Sequence, residues 1–454
     1  PAEGYATIQF RDEETHRDPL EEAVTRFAPG GEIQSSVYSL NDFDFEKASS
    51  STGGGLLAKA TIPAAFGQAS YEQYDYPGLY KTSGAGSALA RARMEVLHGQ
   101  CEQVEAFGNA RGLTTGALFT LSEHPRDDQN REFLVTAAET EIAGIGYGST
   151  GRHGSTEFRC AFQAVGKEHS YRAPATARKP FVQGPQTAMV VGKAGEEIWT
   201  DKYGRVKVQF HWEREGKANE TSSCWVRVQQ GWAGKSWGTM FIPRIGMEVV
   251  VSFLEGDPDQ PLITGCVYNG DSMPPYELPA EQTKSTIKSN SSTGGGGFNE
   301  IRFEDKKDSE EIFIQAEKDF NRVVKNNDTL KVGFEKADKG DQTIEIKNDR
   351  SLDVGHDHKE HVVNDHTVNI DNNQTITIKN DRSLDVGNNH TEHVANDHTV
   401  TVDNNQTVNI TGDQKITVSK TIVVEATTSI ELKGGGRSIK IEPAKITLTS
   451  SPVA

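Results

Sequence analysis

The 454-residue sequence has little cysteine, no long apolar run and no basic surface signature. Its four cysteines, Cys101, Cys160, Cys224 and Cys266, lie far apart and form no CxxC motif. This spacing favours buried single thiols in a reducing compartment over a disulfide framework. No apolar run approaches the roughly 18 residues of a transmembrane helix. The formal net charge of −17 argues against a nucleic-acid-binding surface.

Known catalytic motifs are also missing. The sequence contains no HExxH, no GxSxG and no H-x-E…C-x-x-C pattern. The GWAGKS segment at Gly231 resembles a phosphate loop, but two residues rather than four separate its glycines. A backbone nest for phosphate therefore cannot form as it does in that motif. The sequence predicts no catalytic residue, no cofactor and no metal site.

What is present is an internal repeat of eight residues between Gly340 and Ser419. The ten units begin at Gly340, Asn348, His356, Asn364, Asn372, Asn380, Asn388, Asn396, Asn404 and Gly412. Most units place apolar residues at positions five and seven and polar or turn-forming residues elsewhere. A longer repeat is superimposed, because KNDRSLDVG occurs at Lys347–Gly355 and again at Lys379–Gly387, 32 residues later. Such a fixed period indicates a repeat architecture.

The apolar pairs of the array form the predicted core of an intertwined trimer. Residues two apart point to the same side of a strand, so each unit predicts one short strand and one turn. Including an earlier unit at Asn326–Gly333, the predicted core residues are Leu330, Val332, Ile344, Ile346, Leu352, Val354, Val368, Ile370, Ile376, Ile378, Leu384, Val386, Val400, Val402, Val408, Ile410, Ile416 and Val418.

The energetics of one unit indicate several chains. Two buried aliphatic side chains contribute roughly 3 to 6 kcal/mol, whereas ordering eight backbone residues costs roughly 8 to 16 kcal/mol. Three chains wound round one axis would place all stripes inside and close each other's strand edges. A single-chain solenoid is the alternative, although it normally has a fuller interior. A calcium-binding nonapeptide repeat fits less well, because the period is eight and the Gly-Gly pairs are missing.

Two units break the apolar rule. Glu360 and Glu392 occupy position five, so in a trimer three carboxylates would meet at each of these levels. We therefore hypothesise that these two interior polar layers are wet or bear ions. Seven histidines also fall in this region, and for them we favour turn and outward positions over metal ligation; they are His356, His358, His361, His366, His390, His393 and His398.

The rest of the chain predicts three further regions before the repeats. Residues 1–186 alternate strand-like runs with two candidate helices, one beginning at Asp18 and one over Ser87–Phe107. Residues 187–270 alternate apolar and polar positions in about five short strands, as in a small closed barrel. Residues 271–325 form a neck and linker, and 326–454 the repeat needle. A last apolar cluster, Ile439, Ile441, Ile446 and Leu448, predicts a cap or docking face.

Several segments resemble the VgrG family, the trimeric spike of the type VI secretion system, which is related to hub and central spike proteins of contractile-tail phages. NDFDFEK at Asn41–Lys47 and YDYPG at Tyr74–Gly78 resemble its hub. The barrel and neck resemblance lies in DKYGRVKVQFHW at Asp201–Trp212, IPRIGMEVVVSFLEGDPDQPLITG at Ile242–Gly265 and GGGGFNEIRFEDKK at Gly294–Lys307. The resemblance implies a mainly β protein with a hub β-domain carrying a few helices, an OB-fold barrel and a C-terminal triple-stranded β-helix.

The function implied by this resemblance is mechanical. A homotrimer would sit on the Hcp tube, and a PAAR-repeat protein would cap the tip near Ile439–Leu448. Effectors would ride on the spike into a target cell, with transient contact with the target-cell envelope. Such a protein is cytoplasmic before firing and is then secreted. The sequence shows no signal peptide but opens at Pro1 without a methionine, so it leaves N-terminal targeting open. The resemblance implies that Pro1 falls inside the hub region, and we therefore expect this domain to be N-terminally incomplete.

Two other functions stay open. The hub could hide a degradative site, with Glu139 and Glu141 as available carboxylates, although nothing marks an acid/base pair. Against this, the segment between Asn269 and Asn299 is too short for a catalytic domain, and we expect none after the needle. The third reading is a surface-binding fibre, since β-prism needles also serve as phage tail fibres. The hub and barrel signatures argue against it.

Overall fold

The computed structural model describes residues 2–16, 18, 20–48, 56–62, 71–144, 157–334 and 340–450. The chain divides into two compact units, Pro1–Asp328 and Thr329–Ala454. Within the described residues, twenty strands accompany one α-helix and three short 3-10 helices at Phe45–Lys47, Asp127–Gln129 and Leu254–Gly256. The prediction of a mainly β protein is confirmed. A helix of the length and apolarity needed to cross a membrane is not found in these residues.

The hub region of the first unit contains a six-stranded sheet. In sheet order its strands are β1 (Thr7–Gln9), β7 (Leu118–Ser122), β8 (Glu132–Ala143), β9 (Glu157–Gly166), β6 (Glu102–Gly108) and β2 (Val24–Gly31). Alternate residues of these strands form one buried cluster, because successive side chains of a strand point to opposite faces. Phe119 and Phe133 are its largest fully buried members.

The helix α1 (Ser83–His98) packs on a second, smaller sheet of the hub. That sheet has the order β4 (Ala58–Thr61), β3 (Val37–Leu40) and β5 (Glu72–Asp75). Thr82 caps the helix, since its hydroxyl oxygen accepts a hydrogen bond from the Ala85 amide at 3.3 Å. Ala90 and Met94 are buried on the face that meets Tyr38 and Tyr80.

Both predicted hub helices need correction. The second helix starts earlier than Ser87 and ends at His98, and the strand β6 occupies the positions that the helical pattern had included. Val104 and Ala106 are buried at a spacing of two, which the period of three and four had obscured. The helix predicted from Asp18 is wrong. The Asp18 carboxylate accepts from the Leu20 amide at 2.9 Å, but this turn leads into β2.

The five strands of the barrel region follow the predicted alternation. Their order is β11 (Lys207–Phe210), β10 (Gln186–Val191), β13 (Glu248–Phe253), β14 (Pro261–Val267) and β12 (Arg227–Val228). Val206 and Val226, next to the two edge strands, exchange backbone hydrogen bonds of 3.0 and 2.8 Å. This bridge closes the sheet into a barrel, whose core is almost entirely valine.

The neck contains a three-stranded antiparallel sheet where the sequence predicted mainly a linker. Its strands are β15 (Lys284–Lys288), β16 (Glu300–Glu304) and β17 (Glu311–Gln315). Glu300 is buried in this sheet. Its burial would raise its pKa, but hydrogen bonds donated by Tyr276 and Thr286, with the charges of Lys288 and Arg302, lower it on balance. The carboxylate therefore stays ionised and ties the start of the neck to its sheet.

The second unit repeats every eight residues, as predicted. Backbone bends recur at 347–348, 355–356, 363–364, 371–372, 379–380, 387–388, 395–396, 403–404, 411–412, 419–420 and 427–428. In the bends from 347–348 to 411–412, the second residue is the first residue of a predicted unit. The bends at 419–420 and 427–428 add one unit that the sequence analysis missed, because Ala426 stands there at position seven. No strand pairing is found among the described residues 340–429.

The chain then forms a small antiparallel sheet of β18 (Ile430–Gly434), β19 (Arg437–Glu442) and β20 (Lys445–Thr449). Gly435 and Gly436 make the two-residue turn between β18 and β19 with φ of 53° and 78°, a conformation that favours glycine.

The four cysteines are all free thiols. Cys101 and Cys160 are buried as predicted, whereas Cys224 and Cys266 are exposed, which corrects the expectation of four buried thiols.

Candidate functional site

The apolar stripe of the octad array is the candidate functional surface. In the array from residue 340 to 419, the apolar side chains at position five are 60 to 66% exposed and those at position seven are 41 to 49% exposed. This regularity shows that each unit places its pair in the same surroundings. Leu330 in the earlier unit is exposed as well, and Val332 is partly buried. A contiguous apolar stripe of this length indicates a protein interaction surface.

The backbone of the array gives a second reason to expect partners. Between its bends, the described residues 340–429 form no strand pairing with the rest of the described chain. Their amide and carbonyl groups are thus available to pair with other chains, as at any open sheet edge. Apolar side chains and unpaired strand edges occur together over the same residues.

The neck sheet presents an apolar face that the sequence analysis missed. Its members stand at alternate positions and face each other in register, with Ile301 opposite both Ile287 and Ile314, and Phe303 opposite Ile312. All five are between 44 and 68% exposed. The alternation in EIRFE and EIFIQ was the signal, and the dense charge around it concealed the pattern.

The two glutamates at position five take the place of apolar residues. Their side chains are 59% and 56% exposed, close to the values for the apolar residues of position five. His366 Nε2 lies 3.9 Å from Glu360 Oε1, and His398 Nε2 lies 3.8 Å from Glu392 Oε1. The sequence analysis had not paired these residues. His356 is different, because it lies at a bend, is 92% exposed and contacts Asp357 at 3.0 Å.

The predicted tip residues lie on β19 and β20. Ile439 is opposite Leu448, and Ile441 is opposite Ile446. All four are exposed, and Ile439 and Leu448 line a shallow cleft of about 480 Å³ together with Leu432. This sheet has an apolar face without a covering layer among the described residues of its own unit.

The hub offers one group of possible metal ligands among the described residues: Glu102, Glu168 and His169. Arg131 forms ion pairs with both carboxylates, so their charge is already balanced by a guanidinium group. Glu139 and Glu141, named above as available carboxylates, are exposed on β8. These contacts and exposures mark neither group as a catalytic site.

Three family models match successive parts of the chain. Residues 1–144 match the phage tail baseplate hub (GPD), and residues 189–268 match the type VI secretion system/phage-baseplate injector OB domain. The bacteriophage T4 gp5 C-terminal trimerisation domain matches in three overlapping segments, 285–370, 334–418 and 356–441. The hub, barrel and needle are thus each identified, and the OB-fold prediction for the barrel is confirmed.

Curated relatives give a consistent result. The type VI secretion system spike protein VgrG1b of Pseudomonas aeruginosa is 51% identical over 308 residues, covering 67% of this chain and 41% of that protein. The actin cross-linking toxin VgrG1 of Vibrio cholerae is 36% identical over 337 residues, covering 74% of this chain and 29% of that protein. The chain therefore spans less than half the length of these relatives.

A solved structure of an Escherichia coli protein is also similar. It is described as the c3393 protein, a component of the type VI secretion system with structural similarity to the T4 tail proteins gp27 and gp5. The match has 16% identity and a TM-score of 0.30, and it covers 55% of this chain and 83% of that one. The family models and the curated relatives point to the same family. The chain belongs to the VgrG family of type VI secretion system spike proteins, which is related to the hub and spike proteins of contractile-tail phages.

Proposed function

We propose that the chain works as a homotrimeric, non-catalytic puncturing spike of a type VI secretion system. The observation that carries this proposal is the exposed apolar stripe of the octad array, whose backbone has no strand partner among the described residues. Three copies would bury all stripes round one axis and pair all edges. The match to a phage trimerisation domain over the same residues supports three as the number of chains.

The division of labour follows the four proposed regions. Residues 1–186 would form the hub and 187–270 the OB barrel, which together sit on the Hcp tube. Residues 271–325 would connect this base to the needle at 326–454. The trimer core would consist of the residues at positions five and seven named above.

The tip and the cargo complete the proposal. The apolar residues of β19 and β20, Ile439, Ile441, Ile446 and Leu448, would dock a PAAR-repeat protein. Effectors would travel on the spike, which is cytoplasmic before firing and is then delivered into the target cell. The relatives named as spike proteins support a mechanical role, and the charge balance at Glu102 and Glu168 gives no support to a hub enzyme.

The native mass of the purified chain tests the proposal. We expect light scattering to give three times 49.6 kDa, and the trimer to resist dilute detergent without heating. The same sample after boiling provides the matched monomer reference. A monomer before boiling would overturn the proposal, because one chain has no means of burying the stripe.

A further inference from the structure

The contact between successive units follows a fixed rule in the two units that carry a glutamate. The residue at position five of one unit meets position three of the next unit, six residues later. Glu360 meets His366 in this way, and Glu392 meets His398. The two distances differ by only 0.1 Å, although the pairs are 32 residues apart in the chain. The arrangement is therefore a property of the repeat and not of one local side-chain conformation.

In the repeat, a glutamate at position five is always accompanied by a histidine six residues later. Position five is Glu in two units only, and both times the residue six positions later is His. Where position five is Val368 or Val400, the residue six positions later is Gln374 or Gln406. Histidine also stands at position three without an acidic neighbour six residues earlier, at His358 and His390, which follow Leu352 and Leu384. These two histidines provide a natural comparison.

The distances between the paired atoms leave room for a shared metal ion. A nitrogen and an oxygen 3.8 to 3.9 Å apart are too distant for a direct hydrogen bond. Two ligands of one transition-metal ion, each about 2.1 Å from it, lie about 3.4 Å apart at a tetrahedral angle and about 4.2 Å apart when they are opposite each other. Both pairs fall within that span. Imidazole nitrogen with carboxylate oxygen is a donor set that suits divalent transition metals such as zinc or nickel.

In the proposed homotrimer, a cation would also offset the charge of these layers, and this step depends on the proposed function. Glu360 and Glu392 have the exposure of the apolar position five, so three chains would bring three carboxylates together at each level. Like charges inside a closed layer repel each other and lose their hydration. Lys359 does not offset this charge, because it pairs with Asp357 at 3.6 Å, and the other copy has Thr391 at that position.

We propose that each of these two levels binds one divalent transition-metal ion on the axis of the trimer. The ligands would be the carboxylate oxygens of Glu360 and the Nε2 atoms of His366 at one level, and those of Glu392 and His398 at the other. Each chain supplies one pair per level, so the site is incomplete without the other two copies. The hub cluster at Glu102 is a weaker candidate, since Arg131 already occupies the space between its carboxylates.

Zinc binding to the full, untagged chain tests this inference. The trimer is first established by light scattering, then stripped with a chelator and titrated with Zn²⁺ by calorimetry. We expect saturable binding of one ion per level, and no comparable binding of Ca²⁺, because imidazole does not suit calcium. Glu360→Gln alone should remove half of these sites, and Glu360→Gln with Glu392→Gln should remove all of them.

A matched control separates the layers from other histidines. His366→Gln with His398→Gln should abolish the sites, and glutamine already stands at this position in other units. His358→Gln with His390→Gln should leave them unchanged. A trimer without saturable Zn²⁺ binding, or with binding that the glutamate variants do not alter, would overturn the inference alone. A monomer would overturn the proposed assembly and the inference with it.

Discussion

At the scale of single residues, Glu95 is the clearest charged contributor to the stability of the hub. It is 7% exposed on α1 and its carboxylate accepts hydrogen bonds from Arg172 Nε at 2.7 Å and Arg91 Nε at 3.1 Å. The hydrogen bond from Arg172 is the main cause that lowers the pKa of Glu95, against the effect of burial. The ionised form therefore links the helix to the segment after β9.

Replacing Glu95 by Gln should lower the free energy of unfolding at pH 7 by about 1 to 2 kcal/mol. This value lies in the lower part of the range for hydrogen bonds to charged groups, because both arginines are mostly exposed and solvent screens their charge. Since the folded pKa lies below the unfolded one, this contribution is present above about pH 4.3 and is lost as the pH falls through the folded value.

Urea unfolding at pH 7 and at pH 3 measures this effect. We expect the difference between the native chain and the variant to shrink at the lower pH. Glu139→Gln, which changes an exposed carboxylate of β8, is the control and should have little effect at either pH. An equal loss at both pH values for Glu95→Gln would show that packing, not charge, is responsible.

The residue scale also shows where sequence analysis reaches its limit. The apolar pairs could be predicted because their spacing of two is a direct consequence of strand geometry. The approach of His366 to Glu360 could not be predicted, because it spans a bend whose geometry sets which residues of adjacent units meet. The link between Arg131 and Glu168 was equally inaccessible, since it depends on how separate strands pair.

At the scale of elements, the barrel was predictable and the hub helices were not. Val208 in β11 lies between polar residues, and Val249 and Val251 in β13 are buried at alternate positions, so the spacing of two had one interpretation. Over Ser87–Phe107 a helical pattern is followed directly by the strand β6. Val104 fits the helical spacing of three and four as well as the strand spacing of two, so the sequence did not show where the helix ends. The turn at Asp18 shows the same difficulty, since an aspartate that bonds a nearby amide begins turns as well as helices.

The eight-residue unit makes a prediction about length. Deleting Asn372–Lys379 removes one complete unit, so the downstream units should keep positions five and seven towards the axis. Deleting only Asn372–Thr375 should leave half a unit in every chain, so that the bends after it shift by four residues and the packing at that level is disrupted. We expect the first variant to remain a detergent-resistant trimer and the second to lose this resistance.

Light scattering and unheated gel electrophoresis of both deletions measure this outcome. The shorter deletion removes fewer residues, so a greater loss of stability there cannot be explained by the amount of chain removed. Equal behaviour of the two variants would mean that the octad does not define the packing of the needle.

At the scale of the whole molecule, the chain combines regions with different sources of stability. The hub and the barrel each bury a cluster of apolar residues within one chain, and their cores need no partner to form. The array and the neck sheet instead leave their apolar faces exposed. In the proposed homotrimer, the base would fold within each chain and the needle would be complete only when the copies associate. The spacing of the apolar pairs predicted a core shared between copies, because the pairs recur at fixed positions in every unit. The apolar face of the neck has no such repeat, so the sequence analysis missed it.

Charges placed in the stripe test this view of the assembly. Val400→Asp with Val402→Asp would bring six carboxylates into one narrow layer of a trimer, where each would lose hydration and repel the others. We expect this variant to stay monomeric or to form a trimer that melts much earlier. The matched control is Thr399→Asp with Thr401→Asp, which adds the same charge to the opposite side of the same strand. If the control assembles normally and the stripe variant does not, the stripe lies inside. Unchanged mass and melting of the valine variant would show instead that the stripe faces solvent.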